Sequence, residues 1–488
     1  MMKLPVLVSS VFFSLVFLQV ASLSLLCAAD PSPQEKRNLV TDEPRKQKGK
    51  PSGAAEYVAK SRPTDGQHLT LSIQKLESGI RPERPFLIWA LGSSYCNMLG
   101  NGDFWKAELP KRYPRAPPIE FRKMVGNSCP WQYLQGWARH LVVPDQPDLV
   151  IIYTIGKAAD LEKVILELRT HTTADIIVPS IHWRIRDAAM WGKSENAADQ
   201  DVAALRSLCR KHEVEFVESR RDWADYLKAN ELPIESLLKD AVHQSEYGAL
   251  MINRNILAHF RQPQAFSYTA DSRERRISWK TSDDGSLAAQ FVGTRIDLHG
   301  KKSPGGGSFQ VRIDGKPAEQ TDAFLMSYVQ PGKENSQLKF GRSPTVPRDT
   351  GPHGITLGKG VQPQTWTVVV TNDEGDFELT GSKAGPDGSG NAFKRFLSAS
   401  GQIAIEPELW RRAERNRSGD RFTFDVTRST LETVSFQGED AEPFTARLAQ
   451  MLPNESHLIE LVPIGNGTAK IDSFEVFQPP FGQTVVEK

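Results

Sequence analysis

"IWALGSSYCNMLGNG", residues 88–102, places an apolar run directly before a Gly-Ser-Ser turn and contains neither proline nor charge. A run that ends in this way is typical of a buried strand followed by a tight connection. Later apolar runs are "IEFRKMV", "DLVIIYT", "ADIIVPS" and "VEFVES", and helical stretches lie between them. This alternation predicts an α/β unit whose parallel sheet is flanked by helices.

Amphipathic segments supply those helices. "AADLEKVILELRT" and "DQDVAALRSLCRKH" have apolar residues at helical spacing, and "SEYGALMINRNILAHF" closes the unit. The active sites of such sheets lie at the carboxyl ends of the strands. We therefore expect the site in the loops after Leu91, Val125 and Thr154.

The pattern changes after Phe260 to short alternating runs separated by Gly, Asp and Asn, such as "GSFQVRIDGK" and "AKIDSFEVFQ". Such runs predict an antiparallel sandwich of jelly-roll type. We expect a linker at 263–276 and the sandwich at 277–480, with an insertion at 321–420 that contains helix-like "EPELWRRAERN". The sandwich also contains tryptophans that are either sugar platforms or core residues, namely Trp279, Trp366 and Trp410.

The first thirty residues are an uncharged apolar stretch after Lys3, followed by "CAAD". They predict a signal peptide at residues 1–29, although the apolar run is also long enough for an uncleaved membrane anchor. Under both interpretations the folded part of the protein is exported, to the periplasm or the medium of a bacterium. Residues 30–66 are rich in Pro, Lys, Glu and Gly, which predicts a disordered linker.

Charge and cysteine content exclude several classes of protein. Lys and Arg total 60 and Asp and Glu total 59, so no net field favours nucleic acid or an anionic membrane. Membrane contact is expected only through an uncleaved leader. Cys96, Cys129 and Cys209 follow the leader, too few for a disulfide scaffold. A Cys96–Cys129 bridge is an alternative to buried thiols, and no Cys/His spacing suggests a metal.

A set of polar residues falls where the predicted strands end. Ser94 follows the first strand, Gly126 lies in a turn after the second, and "DAVH" places Asp240 and His243 before the last helix. A nucleophilic serine needs a base and a third group that orients the base, and backbone N–H groups in a glycine turn can bind a developing oxyanion. Taken singly, Ser94 is an ordinary turn serine, Asp240 a helix N-cap and His243 a surface residue.

In this order the motifs resemble those of the SGNH, or GDSL-like, hydrolases over about residues 85–262. The resemblance implies that Ser94 is the nucleophile, with Ser93 in the position usually held by Asp. It makes Asp240 the orienting group and His243 the base, and it gives the oxyanion donors as the N–H groups of Ser94 and Gly126. It also implies a flavodoxin-like three-layer SGNH-hydrolase domain, here placed at 67–262, that needs no cofactor.

One family motif is not matched. After "DLVIIYT" the turn reads "IGKAAD", so Ala158 stands where the family has an asparagine that donates to the oxyanion. Asn97, Asn127 and Lys157 are candidate substitutes. Loss of one donor weakens stabilisation of the transition state, so the resemblance leaves open an active, a weak or an inactive site.

Together with the predicted leader, the resemblance implies an exported serine esterase that removes acyl groups, with acetyl favoured, from an acylated carbohydrate or glycan. Candidate substrate contacts are Asn127, His182 and Trp131, with packing as the alternative for the last two. The C-terminal part has a weaker resemblance to a galactose-binding-like jelly roll, with a packing module that binds nothing as the alternative. Alternative functions are a glycan-binding protein with an inactive hydrolase domain and a glycan O-acyltransferase that uses the same triad.

Overall fold

The computed structural model describes most of the chain after residue 48. The described residues are 49–78, 84–124, 133–154, 158–191, 193, 197–261, 270–321, 324–329, 351–352, 354–411 and 413–480. The predicted signal peptide therefore lies outside the described residues, as do Gly126, Asn127, Cys129, Trp131 and Lys157. Within those ranges no helix has the length and apolarity needed to cross a membrane.

Five parallel strands form the sheet of the α/β part. They are β1 (Phe86–Gly92), β2 (Ile119–Met124), β3 (Leu149–Tyr153), β4 (Asp175–Pro179) and β5 (Glu215–Val217). Their order, β2-β1-β3-β4-β5, is that of flavodoxin-like sheets. Every residue of β1, β3 and β4 is buried, so both faces of the sheet are covered. Burial on both faces explains the continuous apolar runs, and the five predicted strands are confirmed.

The structure describes eight α-helices around or after this sheet, and those at 158–171, 197–211 and 246–258 lie where the amphipathic segments predict them. The eight helices are α1 (Thr70–Ser78), α2 (Ser94–Asn97), α3 (Asp103–Arg112), α4 (Ala158–His171), α5 (Ala197–Lys211), α6 (Ser219–Ala229), α7 (Glu246–Ala258) and α8 (Ala270–Arg273). Other helical elements of this part are a π-helix at Tyr133–Val142 and 3₁₀ turns at Val143–Asp145, Ile185–Met190 and Ile234–Leu237. In α4 the buried apolar residues form one stripe with the spacing of a helix face, Leu161, Val164, Ile165 and Leu168, and Arg169 is buried beside them.

The predicted linker at 30–66 is wrong for its described part, because residues before α1 pack on the α/β unit. The Tyr57 N–H donates to the Tyr247 hydroxyl at 2.8 Å, and the Tyr57 ring meets the Tyr226 ring edge-on at 5.5 Å. The Tyr226 hydroxyl donates in turn to the Ala55 carbonyl at 2.7 Å. A few hydrogen bonds and one aromatic side chain order this polar segment, which its average composition does not reveal.

After α8, the strands that the structure describes pair in antiparallel sheets. The first sheets have the orders β11-β10-β24-β8-β7, with β22 also paired to β10, and β23-β9-β25-β6. Their strands are β6 (Glu274–Ile277), β7 (Lys280–Thr281), β8 (Leu287–Gly293), β9 (Arg295–Lys301), β10 (Ser308–Ile313), β11 (Lys316–Pro317), β22 (Thr433–Ser435), β23 (Pro443–Ala449), β24 (Glu455–Ile464) and β25 (Lys470–Phe477). They share one apolar core. Because β6 starts at Glu274, the end of the predicted linker at 263–276 belongs to a sheet.

A second apolar core forms where the insertion was predicted. Its sheets have the orders β12-β21-β15-β16-β17, β14-β19-β18 and β13-β20. The strands are β12 (Leu325–Val329), β13 (Gly351–Pro352), β14 (Thr356–Leu357), β15 (Gln364–Val370), β16 (Asp376–Gly381), β17 (Gly385–Asn391), β18 (Phe396–Leu397), β19 (Ile403–Ile405), β20 (Trp410–Arg411) and β21 (Arg421–Arg428). Pairing of β12 with β21 extends this module from the predicted residue 420 to residue 428.

Two predictions within this module are corrected. "EPELWRRAERN" is not an α-helix, because a 3₁₀ turn at Pro407–Leu409 leads into the short strand β20. Trp410 in that strand packs against Phe377 and Phe422, and this tertiary contact overrides the local helical preference. Trp366 and Trp410 are buried in the core and are not sugar platforms, while Trp279 is half-buried against Phe474.

A buried ion cluster ties the antiparallel sheets to the amino-terminal edge of the parallel sheet. The Lys75 ammonium lies 2.6 Å from a carboxylate oxygen of Asp148, just before β3, and 2.7 Å from one of Glu274 in β6. Nearby, Arg295 of β9 donates to the Pro144 carbonyl at 2.6 Å. These contacts leave the carboxyl ends of β1, β3 and β4 at the opposite edge.

Candidate active site

The predicted nucleophile turn, residues 92–94, begins with a glycine that close packing requires. Gly92 ends β1 with φ of 153°, and a Cβ there would lie 2.1 Å from the Tyr153 carbonyl oxygen. Ser93 follows as the N-cap of α2, and its hydroxyl accepts from the Tyr95 N–H at 3.3 Å. Ser94 is the first residue of α2. The small residues therefore serve the turn, and the turn presents Ser94 at the carboxyl edge of the sheet.

The structure brings the three predicted catalytic residues into one hydrogen-bonded chain. The Ser94 Oγ lies 2.8 Å from His243 Nε2, and His243 Nδ1 lies 2.8 Å from Asp240 Oδ2. With the proton on Nδ1, His243 donates to Asp240 and accepts from the Ser94 hydroxyl. These distances suit a serine, a general base and a carboxylate that orients the base.

Asp240 closes the short turn that carries the predicted base, residues 240–243, which we call the base turn. Its Oδ1 accepts from the N–H groups of Val242 at 2.9 Å and His243 at 2.8 Å. Burial acts to raise the pKa of Asp240, but the hydrogen bonds from the His243 ring and these two N–H groups lower that pKa to about 2. The group is thus a carboxylate at neutral pH and can stabilise a protonated imidazole. Ser245, not Asp240, is the N-cap of α7.

Two residues after β4 form hydrogen bonds with the backbone of the same turn. The Ile185 N–H donates to the Ala241 carbonyl at 3.0 Å, and His182 Nε2 lies 2.9 Å from the Val242 carbonyl oxygen. The other ring nitrogen of His182 lies 2.5 Å from the Tyr153 hydroxyl. His182 is fully buried, and burial lowers its pKa to about 3. Of its two predicted roles, substrate contact or packing, this position favours packing.

Two residues of this region were not predicted from the sequence to belong to the site. The buried Tyr95 ring meets the His243 ring edge-on at 5.7 Å, and Gln244 Nε2 donates to the Tyr95 carbonyl at 2.7 Å. Each follows a predicted catalytic residue by one position, which is the only signal that the sequence carries for them.

The oxyanion side of the site is described in part. Leu91 pairs with Met124, the last residue of β2, so the loop that carries Gly126 starts beside the nucleophile turn. Gly126, Asn127 and Trp131 themselves lie outside the described residues, and their roles stay predictions.

The unmatched motif lies at the start of α4. Ala158 is its exposed first residue, following β3, and its methyl group cannot donate a hydrogen bond. Of the candidate substitutes, the Asn97 side-chain oxygen accepts from the Lys123 ammonium at 2.8 Å. Asn127 and Lys157 lie beyond the described ranges.

One buried group has the donor types of a metal site. Side-chain atoms of Asp65, Glu215 and His259 lie within 4.8 Å of one another. However, Glu215 Oε1 already accepts from the Gly66 N–H at 2.7 Å and lies 2.5 Å from His259 Nδ1. Glu215 begins β5, so this cluster ties elements together at the edge away from Ser94.

Comparisons with known proteins add a distant structural likeness. No protein-family model matches the chain, and no curated protein does. The structure is similar to an acetylxylan esterase from Geobacillus stearothermophilus, with 17% identity, 37% of this chain and 97% of that chain covered, and a TM-score of 0.31. It is also similar to a GDSL-like lipase from Parabacteroides merdae, with 16% identity, 36% and 97% covered, and a TM-score of 0.30.

Proposed function

We propose that this protein is an exported serine esterase of SGNH type that removes acyl groups, acetyl first among them, from a carbohydrate. The observation that carries the proposal is the chain from Ser94 Oγ through His243 to the Asp240 carboxylate, with both links at 2.8 Å. A turn serine without a catalytic role has no need of an imidazole whose far nitrogen is held by a carboxylate.

The proposed reaction uses these groups in two halves. Ser94 Oγ attacks the ester carbonyl carbon while His243 Nε2 takes the hydroxyl proton. The tetrahedral intermediate collapses as His243 gives that proton to the leaving sugar alkoxide, which leaves an acyl-serine. Water then attacks the acyl carbon with His243 as base, and the acid and the free serine are released. Asp240 holds the imidazole throughout and stays ionised.

The oxyanion would be bound by backbone N–H groups. We assign this role to Ser94, whose N–H belongs to the first turn of α2 and so has no intrahelical partner, and to Gly126. Ala158 supplies no third donor. Loss of one such donor costs about 3 to 4 kcal/mol of transition-state stabilisation, so we expect slow turnover.

The substrate class and the location rest on sequence. The apolar segment before residue 30 supports export, and the ordered motifs of residues 85–262 support an ester substrate. The weaker resemblance of 277–480 to a galactose-binding-like jelly roll supports a carbohydrate as the part that carries the acyl group. Asn127 and Trp131 are the proposed substrate contacts. We also propose that the antiparallel sheets within 277–480 are a galactose-binding-like jelly roll.

Replacement of the nucleophile tests the proposal. Ser94→Ala should lower release of 4-nitrophenol from its acetate ester, and of acetate from acetylated xylo-oligosaccharides, by about three orders of magnitude or more. The matched control is Ser93→Ala, which removes a neighbouring buried hydroxyl that caps α2 without touching His243. It should stay within about tenfold of the parent, because loss of a cap costs only about 1 kcal/mol of stability. Equal turnover by the parent and Ser94→Ala would exclude the proposal.

Ala158 favours a second candidate, a glycan-binding protein with an inactive hydrolase domain. Retention of acetylated xylo-oligosaccharides with no ester cleavage, unchanged in Ser94→Ala, would support it. Acyl transfer to a sugar uses the same triad. Product analysis with and without an acceptor glycan separates transfer from hydrolysis.

A further inference from the structure

We infer that Gln244 is a positioning residue that sets the separation of Ser94 and His243. The inference rests on the proposed function and extends it to a residue that contacts neither substrate nor reacting atoms. Gln244 follows the base directly in sequence, and only 1% of it is exposed.

The hydrogen bond of Gln244 joins the same two chain segments as the proposed catalytic hydrogen bond. Its Nε2 donates to the Tyr95 carbonyl oxygen at 2.7 Å, and the Ser94 to His243 link measures 2.8 Å. Tyr95 directly follows Ser94, and Gln244 directly follows His243, so the two hydrogen bonds join neighbouring residues of the same two chain segments. Gln244 therefore connects the two chain segments at the point where the proton must pass.

Other contacts hold the base turn against a different element. The Ile185 N–H and the His182 ring bind the carbonyls of Ala241 and Val242, which fixes the turn relative to the end of β4. The nucleophile turn follows β1, with β3 between it and β4. The Gln244 bond fixes the base turn relative to the nucleophile turn itself.

Stability alone does not explain an amide at this position. Within the described part of the chain, the buried Gln244 Oε1 has no hydrogen-bond partner. An unsatisfied buried carbonyl costs free energy, which an apolar side chain of the same length avoids. The Nε2 bond to Tyr95 is the contact that such a side chain would lose.

Gln244→Met keeps the length of the side chain and removes the donor, and Gln244→Asn keeps the amide but withdraws it by one methylene. The matched control is Gln146→Met at the amino-terminal edge of the sheet. Gln146 is also 1% exposed, donates to the His171 carbonyl at 2.8 Å, and has an Oε1 without a partner in the described residues. The readouts are kcat and KM on 4-nitrophenyl acetate, the rate at which a fluorophosphonate labels Ser94, and Tm.

For Gln244→Met we expect kcat and the labelling rate to fall about ten- to a hundredfold, because a small misplacement of the base has a cost of that size. KM should stay within about twofold and Tm should not fall below that of Gln146→Met. Gln146→Met should keep the parent kcat. Gln244→Asn should also label more slowly, and it carries the test if the Met variant does not fold.

Labelling of the parent protein separates the two proposals. If a fluorophosphonate labels Ser94 in the parent and labels Gln244→Met and Gln244→Asn equally fast, the role of Gln244 is overturned while the esterase proposal stands. A kcat loss shared equally by Gln146→Met also overturns it. If Ser94 of the parent is not labelled at all, both proposals fail.

Discussion

The two edges of the parallel sheet each carry a hydrogen-bonded set of ionisable residues, and the two sets differ in exposure. At the carboxyl edge the side chains of His243 and Asp240 are 26% and 42% exposed. At the amino edge Lys75 and Asp148 are each 6% exposed and Glu274 is 2% exposed. Solvent and substrate can reach the first set, whereas the second is closed by the antiparallel sheets. Access to solvent, rather than the presence of ionisable pairs, therefore distinguishes the candidate active site from the structural cluster.

The charges at the two edges also have different tasks. His243 must gain and lose a proton in the proposed reaction, and Asp240 supports both states of the ring. At the amino edge, burial would lower the pKa of Lys75, but the carboxylates of Asp148 and Glu274 raise it overall, so the ammonium keeps its charge. Substitutions at the carboxyl edge should therefore change activity, and those at the amino edge should change stability.

Of the substitutions considered in this Discussion, Asp240→Asn should cause the largest loss of activity. The amide no longer fixes the His243 tautomer, so kcat should fall by about four orders of magnitude, measured as initial rates on 4-nitrophenyl acetate. Tm should change little because the side chain is partly exposed. A kcat loss of less than about tenfold would show that Asp240 does not orient the base.

Lys75→Met should have the largest effect at the amino edge. It leaves the Asp148 and Glu274 carboxylates buried without their cation, which should reduce the free energy of unfolding by about 3 to 5 kcal/mol. Urea unfolding measures the loss, and kcat of the folded variant should equal that of the parent. Lys111→Met, which breaks an exposed pair with Glu108, is the control and should cost at most about 1 kcal/mol. Equal losses in both variants would contradict the buried cluster as a structural tie.

Asp175→Asn should alter how stability depends on pH. Asp175 is fully buried at the start of β4, and burial raises its pKa to about 6. Between about pH 4 and 6 the native protein then binds more protons at this group than the unfolded chain, so its contribution to stability falls as pH rises through that window. The Asn variant should gain on the order of 2 kcal/mol relative to the parent between pH 4 and 7. Parallel stability profiles from urea unfolding across this range would refute the assignment.

Cys96 should not react with iodoacetamide in the folded protein, although it lies at the carboxyl edge two residues from Ser94. Burial raises its pKa to about 12, so the native protein holds almost no thiolate at pH 8. Iodoacetamide should leave turnover unchanged and Cys96 unmodified by peptide mapping, whereas the urea-unfolded chain should be alkylated there. Inhibition that tracks alkylation of Cys96 would show that burial does not separate reactive from inert groups at this edge.

Sequence reasoning predicted the parallel sheet because burial on both faces leaves a continuous apolar run in each strand. It also predicted Ser94, Asp240 and His243, since each lies next to a strand end or a turn that the pattern marks. It did not predict the contact of Lys75 with Glu274, which are 199 residues apart. A charged residue in a sequence carries no sign of its burial.

Other differences have the same physical origin. The helical preference of "EPELWRRAERN" is overridden by the packing of Trp410, and the polar segment around Tyr57 is ordered by contacts with residues nearly two hundred positions later. Gln244 and His182 act through backbone carbonyls. Every residue has a backbone carbonyl, so no sequence motif indicates which one accepts such a hydrogen bond.

Fluorophosphonate labelling followed by peptide mapping tests the central claim most directly, because the probe reacts with an activated serine whatever the natural substrate. We expect one label on the peptide that contains Ser94, absent in Ser94→Ala and His243→Ala and retained in Lys75→Met. An unlabelled parent protein, or a label on another serine, would contradict it.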